Sequence, residues 1–290
     1  MGKYLNHAKL HFGTNTRGLL AGGRYALLHT RTLEFDDLRP YVPGDDVRDI
    51  DWKASARSGT VLTKRFVSEK HHKVLLVADA GRNMSALAPS GEVKRDVALA
   101  VMGAIGLITL DRLDEIGMVY GDSRGSTNVG NRRGETHIES LLDRFYRHAC
   151  GRPGASDIVT QLAYVAAGHR RRLLIVVVSD EPDVDDRLSD VLQQLSGRHD
   201  VMWAMVSDMP AVASAEHRID GYDVADGKFV LGAAAADRRV LSAYRRAEHA
   251  RTRQLDKLLT AYAIPYTKIQ SSDEIRAKIV EMTQVASRVG

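Results

Sequence analysis

A chain of 290 residues, 44% hydrophobic and 27% charged, has the make-up of a globular protein with a substantial core, which excludes a mainly disordered chain. The formal net charge is +4, but Lys and Arg are scattered among acids along most of the sequence. Such an excess reads as a solvated surface and gives no support to a nucleic-acid partner. The single cysteine, Cys150, excludes an internal disulfide and a thiolate zinc site and suits a reducing compartment.

The opening stretch, Met1 to Gly13, lacks the basic-then-apolar pattern of a signal peptide, so a cytoplasmic location is expected. Residues 1–73 hold thirteen Lys and Arg against eight Asp and Glu, with the acids clustered between Glu34 and Asp51. Breaks at Gly22-Gly23 and Pro43-Gly44 predict irregular structure and short strands here, including Val61 to Phe66, rather than a long helix. The acids Asp45, Asp46, Asp49 and Asp51 could chelate a cation. Pairing with Arg39, Arg48, Lys53 and Arg57 is the expected structural alternative, with Ile50 and Trp52 as buried anchors.

From Lys73 the pattern becomes regular. Val74 to Asp79 is an apolar run ending in an acid, as in a strand buried on both faces. Glu92 to Leu113 reads as a helix; its fourteen-residue core, Val97 to Leu110, is too short to span a bilayer, so no membrane insertion is expected. Glu115 to Tyr120 is a strand, and Gly121 to Asn131 carries turn chemistry with an edge hairpin strand. Glu135 to His148 and Asp157 to Gly168 are helices. Leu173 to Asp180 is the strongest strand, followed by a helix over Arg187 to Ser196 and a strand over Val201 to Val206. A long helix, Ala236 to Ala263, a short strand, Tyr266 to Ile269, and a helix from Ser272 complete the order. Strands alternating with helices predict a doubly wound, mostly parallel α/β sheet, with ligands at the carboxyl ends of the strands. Asp79 and Asp180 fall at that edge.

The loop Asp79-Ala-Gly-Arg-Asn83 sets an acid and small polar residues at alternate positions, which can curl around a hard divalent cation. Together with the run Glu34-Phe-Asp-Asp-Leu-Arg-Pro-Tyr-Val-Pro-Gly-Asp-Asp-Val-Arg-Asp-Ile-Asp-Trp-Lys-Ala-Ser-Ala-Arg57, this resembles a bacterial von Willebrand factor A-like family. The family is catalogued as domain of unknown function fifty-eight and is often encoded beside MoxR-type AAA+ ATPases. The resemblance covers about Arg17 to the last strand. It implies a family-specific segment, residues 1–69, packing on a von Willebrand A-like domain, residues 70–290.

Relatives with an intact metal site carry Asp-x-Ser-x-Ser, a later Thr and an Asp ending the fourth strand. By position Asp79 matches the first Asp, Gly81 and Asn83 replace the two serines, Ser156 matches the Thr, and Asp180 the last Asp. The resemblance thus implies a degenerate metal site of Asp79, Asn83, Ser156 and Asp180. It would take Mg²⁺ or Mn²⁺ if any ion, since only oxygens are offered. The alternative is that the two aspartates cap the loops and helices that follow them.

Competing constellations are weaker. Gly121-Asp-Ser123-Arg-Gly125 fits the G-x-S-x-G pattern, but the turn material after it does not suit a nucleophile elbow. Gly81 denies the loop the second carboxylate of an Asp-x-Asp phosphatase, and Gly18 to Gly23 lacks the Lys-Ser/Thr of a phosphate loop. Adjacent His71 and His72 would point to opposite faces of a strand. The expected function is that of a non-enzymatic adaptor whose partner is a MoxR-type AAA+ ATPase or its client. Arg82, Asp157 and Glu181 would join the binding edge. A hydrolase using Ser123 or a metal at Asp79 is the alternative.

Overall fold

A computed structural model of the chain describes residues 2–13, 30–42, 45–71, 73–210, 221–225, 227, 229–230 and 238–288. The glycine breaks at 18–23, the Pro43-Gly44 turn and His72 lie outside the described residues. Two compact units emerge: one of Met1–Leu28 with Lys73–Gly290, the other His29–His72. The expected single segment over 1–69 is therefore divided, because residues near the N-terminus bury their apolar side chains in the main core.

Those residues form a helix, α1 (Lys3–Phe12), where irregular structure was expected. Leu5, Ala8 and Phe12 share one helical face and are buried. Gly103 makes the docking possible, since a Cβ there would lie 2.6 Å from the Ala8 side chain. The Glu139 carboxylate accepts the Tyr4 and Leu5 backbone N–H groups at 2.6 and 3.1 Å, satisfying donors that a helix start leaves open.

The smaller unit holds an antiparallel pair, β1 (Thr30–Pro40) and β2 (Leu62–His71), with a bulge between Phe35 and Asp37. Helix α2 (Trp52–Ser58) lies between them in sequence. The acids that precede α2 serve structure: Asp45 pairs with Arg39 at 2.6 Å, Asp46 accepts the Arg48 N–H, and Asp51 caps α2 at the Ala54 N–H. Ile50 is buried and bridges Thr63. Trp52, expected to be buried, is 67% exposed. It opens a helix whose described residues include none that are buried, so the alternation that buries Ile50 does not continue to position 52.

In the main unit the strands are β3 (Lys73–Asp79), β4 (Glu115–Asp122), β5 (Gly125–Arg132), β6 (Leu174–Ser179), β7 (Asp200–Val206) and, after the short β8 (Gly221–Tyr222) and β9 (Phe229–Val230), β10 (Tyr266–Ile269). They form one sheet in the order β10-β7-β6-β3-β4-β5, parallel except for β5. Helices α1, α3 (Lys94–Asp111), α4 (Glu135–Cys150) and α8 (Ile275–Arg288) cover one face. Helices α5 (Ile158–Gly168), α6 (Asp186–Ser196) and α7 (Arg238–Ala261) cover the other. Alternation within β3 is the cause: Val74, Leu76 and Ala78 enter the first core, Leu75 and Val77 the second. No helix among the described residues is long and apolar enough to cross a membrane. The strand order reverses between β3 and β6, and at such a switch point the connections diverge to opposite sides and leave a crevice.

Candidate functional site at the carboxyl edge

Asp79 ends β3 and Asp180 follows β6, so the two acids flank the switch point. Asp79 is fully buried. Its Oδ1 accepts the Gly81 N–H at 2.8 Å, while its Oδ2 has no hydrogen-bond partner. Burial, and then the charge of Asp180, push its pKa up to about 7; the Gly81 N–H, the Ser156 hydroxyl and the Lys94 charge oppose that rise. Asp180 is 7% exposed, and burial raises its pKa against the pull of Lys94 and of the Asn83 amide.

The sequence-predicted set does converge. The single turn Arg82–Ser85 brings the Asn83 side-chain amide to Asp180 Oδ2, 2.9 Å away, and the Asn83 backbone N–H to Ser156 Oγ, 3.2 Å away. Since a carboxylate only accepts, the amide nitrogen is the atom that faces Asp180. Gly81 lies hard against Ser156. A Cβ on it would stand 2.5 Å from both the Cα and the Oγ of Ser156. The glycine is a close-packing requirement as well as a missing ligand.

Sequence reasoning missed two members. Lys94, the first residue of α3, is wholly buried; its Nζ lies 3.6 Å from Asp180 Oδ2 and closer still to Asp208 Oδ1. Asp180 lies one residue past the end of β6, and Asp208 two past the end of β7. The repeated signature, Val178-Ser-Asp180 and Val206-Ser-Asp208 at two adjacent strand ends, could have found it. Lys94 gave no such signal, because a lysine at a helix start normally reads as solvated.

As arranged, these residues do not fit a divalent ion. Gly81 supplies no side-chain oxygen, and Asn83 turns a donor toward Asp180. An ammonium stands beside that carboxylate. Among the described residues no group of three or more His, Cys, Asp or Glu side chains is arranged to hold a metal.

Of the other residues expected at this edge, Arg82 is exposed, and its backbone N–H donates to the Gly154 carbonyl at 2.9 Å. Asp157 is engaged by Arg187 at 3.0 Å and Glu181 by Lys268 at 2.5 Å. Ser123 lies in the β4–β5 hairpin turn, followed by the antiparallel edge strand and not by a helix. The nearby buried Asp122 accepts from Arg124, Gly154 and His148; the Arg124 guanidinium holds it well below the usual carboxylate range. This knot ties the hairpin to the loop that carries Ser156.

The class defined by this architecture is a doubly wound, mostly parallel α/β domain whose polar residues gather at the switch point. More specifically, the chain belongs to the family described as "Protein of unknown function DUF58", whose pattern matches residues 37–214. Uncharacterized proteins of Mycobacterium bovis and Mycobacterium tuberculosis are 26% identical over 192 residues, covering 66% of this chain and 60% of theirs. The match thus spans less than two thirds of those relatives. Similar solved structures include an aerotolerance-related membrane protein from Bacteroides fragilis, with TM-score 0.46 and 14% identity over 73% of this chain and 98% of that one. A von Willebrand factor type A protein from Catenulispora acidiphila has TM-score 0.44 and 12% identity, over 78% and 44%.

Proposed function

We propose that the chain is a non-catalytic protein-binding adaptor that docks a partner across the carboxyl edge of its sheet. The partner is a MoxR-type AAA+ ATPase or a client on which that ATPase acts. The observation that carries this reading is the make-up of the edge. Its acids are largely taken up by internal partners, while Arg82, Leu87 and Met209 remain exposed on the loops around them. The Met209 N–H donates to the Leu87 carbonyl at 2.8 Å, which sets two exposed apolar residues side by side. An exposed cation and a pair of adjacent apolar side chains on loops of a rigid scaffold suit recognition, because binding energy concentrates in a few such anchors. The identity of the partner rests on the association with MoxR-type ATPases that the sequence resemblance implies.

The test is a pull-down with a MoxR-type ATPase, comparing wild type with the double variant Arg82→Glu/Leu87→Glu. Both positions are exposed, so the melting temperature should hold while retention falls at least tenfold. Equal retention by both proteins would move the docking surface elsewhere. No retention in any nucleotide state would remove the adaptor reading.

A further inference from the structure

We propose that the ammonium of Lys94 takes the place of a divalent cation at this edge, so that the site is built to work without metal. A fully buried lysine is unusual, and its position at the first residue of α3 makes it more so. The positive end of a helix disfavours a cation, and acids are normally enriched there. Something must compensate it. The compensation comes from two carboxylates on different strands, Asp180 after β6 and Asp208 after β7, which Nζ bridges. A third acid, Asp79, ends the neighbouring strand β3, buried and with an unpartnered Oδ2. A single resident cation thus bridges the acids that follow two adjacent parallel strands, with a further buried acid at the end of the next.

The loop chemistry agrees with this substitution. Where metal-binding relatives place a serine oxygen, Gly81 lets the loop close against the backbone of Ser156, and a side chain there would collide with it. Asn83 contributes a donor to Asp180, as an ammonium does and an ion ligand would not. The departures at positions 81 and 83 and the buried lysine form one consistent set. They exchange a bound ion for a covalently attached charge, which removes dependence on metal supply and on chelation. The inference does not rest on the docking proposal, since it concerns the charge held beneath the edge and is tested without a partner.

Two measurements on the full chain test it. In the first, wild type is titrated with MnCl₂ to millimolar concentration by calorimetry and melted in EDTA and in Mn²⁺. No saturable binding and no shift in melting temperature are expected. One saturable site that is lost in Asp180→Asn would overturn the proposal. In the second, Lys94→Met is compared with Lys94→Met/Asp180→Asn. The single variant leaves the acids uncompensated and should melt well below wild type, or fail to fold. The double variant, having also lost a negative charge, should recover a substantial part of that loss. A double variant no more stable than the single one, or a single variant as stable as wild type, would show that Lys94 is not the compensating cation.

Discussion

The Asn83 side-chain amide donates to Asp180 Oδ2 across 2.9 Å, tying the loop after β3 to the end of β6 over the switch point. Removing the donor in Asn83→Ala leaves Asp180 short of a partner and should cost about 1–2 kcal/mol. Asn83→Asp does more, because it turns a second carboxylate toward a buried one. A loss of about 3 kcal/mol is expected at pH 8, shrinking as acid protonates the pair. Urea unfolding of the two variants checks the ranking; equal losses would mean that Asn83 acts only by filling space.

Gly81→Ser adds a side-chain oxygen at the loop position where the glycine supplies none. Because its Cβ meets the backbone of Ser156, the substitution should destabilise the domain by about 1–3 kcal/mol. It should not create affinity for Mg²⁺. Thermal melts with and without the ion measure both effects, and ion-dependent stabilisation would argue against Lys94 as resident cation.

Trp52→Ala should change stability by no more than about 0.5 kcal/mol, since the indole is largely exposed. The family-specific run around it had suggested the opposite. A large drop in melting temperature would mean that the indole is covered in solution.

Acid should weaken the fold in part through His199. Its ring is buried, Nδ1 accepts the Leu173 N–H, and burial followed by the Arg198 charge push its pKa down to about 4. The unfolded chain binds this proton near pH 6.5 and the folded chain does not until about pH 4. The stabilising contribution is therefore present above pH 6.5 and lost as pH falls toward 4, by on the order of 2–3 kcal/mol. His199→Gln should flatten that part of the stability profile relative to wild type. Parallel profiles for the two proteins would assign the acid sensitivity to the carboxylates instead.

The strands and helices of the main unit are legible in the sequence because apolar runs fully buried in a parallel sheet have little freedom to be anything else. The same logic located Asp79 and Asp180, since each ends such a run. What escaped was set by tertiary partners. Helix α1 spaces Leu5, Ala8 and Phe12 for one face, but its docking depends on Gly103, almost a hundred residues away. Lys94 is buried only because two strand ends deliver carboxylates to it, and nothing local at a helix start announces that. Trp52 illustrates the converse error, in which a residue type that favours burial stands on an exposed first turn.

Hydrogen exchange of the full chain, alone and with a MoxR-type ATPase, tests the central claim most directly. Docking across the carboxyl edge predicts slowed exchange in the loops at 80–88, 153–157, 180–184 and 207–209, with the strands behind them unchanged. Protection confined to the β5 edge or to residues 45–60, with those four loops exchanging as in the free protein, would contradict it.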